Sequence, residues 1–196
     1  MPFGDDSLNP TELILGRLPE ELNGFALVKL LLPVEFGKAA ELACAEYEKC
    51  RPSAVIMLGQ AGGRSAITPE AVGRNMMNAR IPDNAGHMPV NEPIERGGPE
   101  ELYATLPLED TVLCVRSLGL PAEISRDAGA YVCNSLLYSV LRHNGGSVPT
   151  GFIHVPFIRE QVEGVSGREE TPYMELEDIQ KAITSVIGLI TEAVGS

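Results

Sequence analysis

The sequence predicts one α/β sandwich domain over residues 1–196, on three observations. Residues 26–32 (ALVKLLL) and 53–58 (SAVIML) are short, nearly continuous apolar runs, the pattern of strands covered on both faces. Between them Phe36, Ala39, Ala40, Ala43 and Tyr47 recur at helical spacing, and strand, helix, strand in that order implies a right-handed parallel crossover. The chain ends in a long amphipathic helix over residues 174–194, with Leu176, Ile179, Ile183, Val186, Ile187 and Ile190 on one stripe. No repeat, low-complexity segment or linker divides the chain, and a domain of this length can bury its own core.

Taken in order, residues 1–10 carry turn chemistry with one aromatic, Phe3. Asn9 ahead of Pro10 and Thr11 caps a short helix over residues 12–18, which Pro19 closes. The strand 26–32 stops at Pro33, the helix from residue 35 stops near Arg51-Pro52, and 53–58 forms the second strand. Next comes the loop 59–64 (GQAGGR), whose small residues let a ligand approach the backbone; it has neither the GxGxxG nor the Walker spacing of a phosphate loop. Residues 67–80 carry Glu70, and 81–86 (IPDNAG) is a loop. Pro107, Leu108, Val112, Val115 and Leu118 have helical spacing, against the local strand propensity of TVLCV. Residues 122–125 form a short strand running into a Gly129 turn, after which an apolar helix proceeds unbroken to Gly145. Residues 151–156 (GFIHVP) are a further strand.

Composition narrows the function. A net charge of −12 with no basic run excludes a phosphate backbone or an anionic membrane as partner. No stretch of about 18 apolar residues and no signal-peptide pattern occurs, which points to the cytoplasm. Cys44, Cys50, Cys114 and Cys133, at spacings of 6, 64 and 19, match no zinc template, and with only three histidines the sequence predicts no metal and no cofactor. In a reducing compartment these cysteines are thiols.

Two residues stand out chemically. Cys133 falls in the first turn of its helix, where free backbone N–H groups and the macrodipole favour a thiolate, and His154 on the following strand supplies the other half of a Cys/His nucleophile pair. A free cysteine is more often a small buried hydrophobe, and a strand histidine a satisfied core residue. The pair alone therefore leaves both readings open.

The blocks GQAGGR, ITPEAV, ARIPDNAG, LPAEISRDAGAYVCN and GFIHVP occur here in the order found in pyrrolidone-carboxylate peptidases (pyroglutamyl peptidase type I), which the chain resembles from about Pro2 to about Gln161. The resemblance implies a mainly parallel twisted sheet with helices on both faces and a cysteine exopeptidase that removes N-terminal pyroglutamate from peptides. It implies Cys133 as nucleophile, His154 as general base and then acid, and Glu70 as the carboxylate that orients the imidazole. It further implies Arg80 at the oxyanion and Phe3, Gln60, Ile81, Tyr131 and Val132 around the substrate ring, with Tyr131 where the family more often has Phe. The oligomer it implies is a homotetramer.

The chain departs from that pattern in two places. About three residues fewer occupy the loop 144–148, which a surface connection tolerates. Family members also begin with an apolar strand and a second aromatic ahead of the Pro-Phe-Gly segment, whereas here the sequence opens at Met1-Pro2-Phe3-Gly4. A sheet lacking that strand, or a chain that starts upstream of Met1, is the expectation that follows, with the second favoured. A catalytically impaired or inactive member with an incomplete pocket is the alternative to an active peptidase.

Overall fold

In the computed structural model of the chain, which describes residues 8–195, helices lie on both faces of a small central sheet. Helix α1 (Pro10–Arg17) starts as the sequence requires, Thr11 donating its backbone N–H to Asn9 Oδ1 at 3.0 Å with Pro10 in the first turn. A two-residue hairpin follows, β1 (Glu21–Leu22) with β2 (Phe25–Ala26), then α2 (Lys38–Cys50) and β3 (Val55–Gln60). Strands β4 (Thr68–Glu70) and β5 (Val72–Arg74) adjoin one another; β6 (Glu101–Tyr103) returns to pair with β5. Helices α3 (Leu108–Ser117) and α4 (Val132–Asn144), strand β7 (Thr150–Val155) and helix α5 (Leu176–Gly195) complete the order.

The central sheet has the order β3-β7-β4 and is mixed: β3 runs parallel to β7, β4 antiparallel to it. Residues Ala122 and Ser125, expected in a short strand, contribute only isolated parallel bridges to Ile67 and Glu70. Period-two alternation along β7 divides the core. Ile153 and Val155 join Ile14, Val115, Ile179 and Ile183 under α1, α3 and α5. Phe152 joins Met57, Leu136, Leu137 and Val140 under α2 and α4.

The strand expected at residues 26–32 does not form. Only Phe25–Ala26 is paired, and residues 27–33 run without regular structure, Val28 being 58% exposed. An apolar run becomes a strand only when a neighbour takes up its backbone groups. None of the described strands lies on that side of β3, so 27–33 borders a cavity instead. The parallel crossover is consequently made by β3 and β7, far apart in the chain.

Asn134 fixes the hairpin formed by β5 and β6 against α4. Its Oδ1 accepts from Arg74 N at 2.8 Å, and its Nδ2 donates to Arg74 O and Met76 O at 2.9 Å each. At Gly73 a Cβ would lie 2.9 Å from Tyr138 N, so this crossing of strand and helix requires glycine.

Candidate active site

Sheet register brings His154 and Glu70 together. Thr68 is directly opposite His154 and Glu70 opposite Phe152, so Glu70 is the diagonal neighbour of His154 on the face that α4 covers. Glu70 has no exposed surface, His154 is 4% exposed, and Oε1 of the former lies 2.7 Å from Nδ1 of the latter. The Phe152 ring backs the imidazole at 4.8 Å between centroids.

Cys133 comes from the opposite element. It is the second residue of α4, whose N-terminus at Tyr131 has no side-chain cap, so backbone N–H groups of that first turn face the site unclaimed by a capping side chain. Its thiol lies close enough to His154 to raise the imidazole's pKa, and Nε2 is the ring nitrogen that Glu70 leaves free. The sulfur sits over Gly59, where a Cβ would stand 3.1 Å from Sγ and 2.5 Å from the Phe152 ring. A side chain at that strand position would fill the place of the thiol.

The electrostatics follow from this packing. Burial pushes the His154 imidazole down, but hydrogen bonds and charge from Cys133 and Glu70 outweigh it and raise the pKa to about 9. Glu70 moves the other way: burial raises it, and His154, Ser125 and Arg64 together hold it below the usual carboxylate range. Arg64, the last residue of the GQAGGR loop, places Nη1 2.6 Å from Glu70 Oε1.

The remaining expected residues fall into three groups. Gln60, Tyr131 and Val132 line, with Cys133 and His154, one end of a cavity of about 780 Å³. Burial, Asp83 and Cys133 push the Tyr131 phenol to about 12, and its hydroxyl donates to Pro82 O at 3.0 Å. Arg80 and Ile81 are exposed on a segment tied to the Cys133 loop on either side, by Asn78 N to Ala130 O and by Tyr131 to Pro82. Phe3 lies outside the described residues. Sequence reasoning missed Arg64, Phe36, whose ring meets Tyr131 edge-on at 5.1 Å, and Gln161, which donates to Gln60 Oε1 at 2.8 Å. Of these only Arg64 carried a signal, as the single charge in a loop of small residues. Among the described residues no cluster of His, Cys, Asp and Glu could hold a metal ion, and no helix is long and apolar enough to cross a membrane.

A cysteine, a histidine and a carboxylate in line where the strands of an α/β sandwich meet a helix N-terminus have the layout of a cysteine-dependent hydrolytic enzyme. The chain belongs to the pyroglutamyl peptidase family, whose profile matches residues 1–193. A pyrrolidone-carboxylate peptidase of Lactobacillus johnsonii is 42% identical over 197 residues, covering 99% of this chain and 90% of the relative. One from Thermococcus onnurineus is 42% identical over 189 residues, covering 95% and 92%. The crystal structure of pyrrolidone carboxyl peptidase from Pyrococcus furiosus superposes with a TM-score of 0.93 at 37% identity, covering 98% of this chain and 95% of that one. For pyroglutamyl peptidase I of Bacillus amyloliquefaciens the TM-score is 0.90 at 35% identity, covering 97% and 93%.

Proposed function

We propose that the protein hydrolyses the N-terminal pyroglutamyl residue of peptides through Cys133, His154 and Glu70. The observation that carries this reading is a buried imidazole hydrogen-bonded to a carboxylate with no exposed surface, with the thiol of Cys133, at the start of α4, near enough to raise its pKa. The Cys133 thiolate attacks the pyroglutamyl carbonyl carbon, forming the C–S bond and an oxyanion that the first-turn N–H groups of α4 and Arg80 stabilise. As the oxyanion collapses the C–N bond breaks, and His154, which holds its proton at neutral pH, gives it to the leaving amine. His154 then takes a proton from water, hydroxide attacks the thioester, and pyroglutamate leaves as the thiolate returns.

Substrate chemistry agrees with the walls. A pyroglutamyl ring is flat and carries no ammonium, so its pocket needs apolar walls and a few amide partners but no carboxylate. Tyr131 and Val132 offer walls and Gln60, held by Gln161, an amide; the family resemblance adds Phe3 and Ile81 to the ring site. The wider reading is a single-domain thiol protease with no cofactor, located in the cytoplasm, where its four free cysteines stay reduced, and assembled as a homotetramer. Light scattering tests the assembly.

The deciding assay is turnover of a fluorogenic pyroglutamyl amide. Cys133→Ser is expected to lose turnover while keeping the wild-type unfolding midpoint, because a hydroxyl is a far weaker nucleophile at neutral pH. Iodoacetamide is expected to label Cys133 ahead of Cys50, although Cys50 is the exposed one; burial pushes the Cys44 and Cys114 thiols up. An active Cys133→Ser protein would refute the mechanism. A folded wild type with no turnover would favour the impaired reading instead.

A further inference from the structure

We propose that Arg64 is a positioning residue of the hydrolytic site, acting through Glu70 and through the loop that delivers Cys133. The inference rests on the Cys133, His154, Glu70 mechanism and extends it to a fourth side chain. Three contacts define the arrangement. Arg64 Nη1 donates to Thr68 Oγ1 at 2.5 Å and to Glu70 Oε1 at 2.6 Å, and Nη2 donates to Asp127 O at 2.8 Å. One planar guanidinium thus joins β4 to the turn that precedes α4. It is held from behind, since Arg64 N donates to Ala61 O and closes the GQAGGR turn.

Charge balance explains why a cation belongs there. With Cys133 as thiolate and His154 as imidazolium, Glu70 leaves the buried group with one net negative charge; Arg64, its side chain 27% exposed, brings the total to zero. Glu70 Oε1 accepts from both His154 Nδ1 and Arg64 Nη1, so the guanidinium fixes the oxygen that orients the imidazole. The groups acting on this carboxylate are His154 from β7, Ser125 from the bridged segment and Arg64 itself, while Thr68 on its own strand bonds to Arg64. Cys133 lies beyond His154, and Asp127 has its own cation, Arg74, at 3.3 Å. Among the described residues, Arg64 is the one cation within hydrogen-bonding distance of Glu70 other than His154.

Removing the guanidinium weakens the pull that keeps Glu70 ionised, so Glu70 takes up its proton at higher pH and His154 loses its orienter earlier on acidification. Arg64→Gln is therefore expected to lower kcat by about 10- to 100-fold with KM within about twofold, and to move the acidic limb of kcat/KM to higher pH. Guanidinium ion added to Arg64→Gln at millimolar concentration is expected to restore part of kcat and return that limb. Arg64→Lys keeps the charge but cannot reach Glu70, Thr68 and Asp127 together, so it is expected to keep the wild-type limb while losing about fivefold or more in kcat. Full kcat in Arg64→Gln overturns the proposal. So does a loss of kcat with the acidic limb unmoved and no rescue, which a merely structural role would give. If Arg64→Gln does not fold, Arg64→Lys decides alone, and full kcat there overturns it. Cys133→Ser separates the two readings: if it stays active the mechanism itself fails, whereas an inactive Cys133→Ser beside a normal Arg64→Gln removes only the role of Arg64.

Discussion

At the scale of single residues, Glu70 and His154 titrate as a unit, and each sign can be followed. The imidazole is raised from 6.5 to about 9, so the stability it contributes is full below about 6.5 and is lost as pH rises through about 9. The carboxylate is lowered from 4.5, so its contribution is present above about 4.5 and is lost as pH falls through its depressed value. Between these limits both are charged. Because the leaving amine takes its proton from His154, kcat/KM is expected to fall on the alkaline side near pH 9. Glu70→Gln removes one of the causes that raise His154, so the alkaline limb should move to lower pH and kcat should drop at least about tenfold, with a lower unfolding midpoint at neutral pH because the stabilisation of the buried pair is lost. A pH–rate profile of both proteins checks this. A Glu70→Gln profile that overlays the wild type would leave Glu70 as a buried carboxylate with no part in turnover. Sequence spacing brought Cys133 and His154 forward, and resemblance added Glu70. Arg64 stayed hidden, because its role depends on a turn that aims it at β4, and nothing in GQAGGR states that direction.

At the scale of elements, the helices and the six-residue strands β3 and β7 were legible, the two- and three-residue strands were not, and the strand read at 26–32 did not form. The stripes of Ala39, Ala40 and Ala43 and of Ile179, Ile183 and Ile190 mark α2 and α5 because burial of one helix face repeats every turn. Gly145, in the left-handed conformation at φ 59°, ends α4 where the sequence places its break. The pairing of β5 with β6 left no such pattern: each strand has three residues, and the partners are joined by a long excursion. What marks that hairpin is a side chain, Asn134, next to the nucleophile. Asn134 has no exposed surface and serves three backbone groups of β5 and the residues after it. Asn134→Ala leaves those groups without their partner and is expected to cost about 1–3 kcal/mol. That is a drop of about 2–12 °C in Tm for a domain of this size, read by calorimetry. Because Asn134 follows Cys133 directly, kcat should fall as well. An unchanged Tm would mean that water replaces the carboxamide.

At the scale of the whole molecule, the unformed strand at 26–32 and the cavity beside β3 are one feature. Val55 and Ala61 donate their N–H groups toward β7, so by alternation those of Ile56 and Leu58 point to the other edge. That edge borders a cavity of about 780 Å³ whose lining includes Leu27–Val34 as well as Gln60, Tyr131, Cys133 and His154. A strand of six residues spans about 20 Å, the length of β3, and would offer backbone partners to that edge. Burying six apolar side chains there yields about 1.5–3 kcal/mol each, against about 1–2 kcal/mol per residue of backbone ordering, so a net gain of several kcal/mol is expected. Leu8 and Asn9, the first residues the structure describes, line the cavity on the N-terminal side of the chain. A protein extended ahead of Met1 by six alternating valines and leucines is expected to melt about 5–15 °C higher. It should also turn over the pyroglutamyl amide with a higher kcat/KM, because the inserted strand would wall the cavity that Gln60, Tyr131 and Cys133 line. Thermal unfolding and steady-state kinetics of the two proteins, side by side, decide the matter. Equal midpoints together with equal kcat/KM would show that the edge of β3 needs no partner and that residues 27–33 are apolar for another reason.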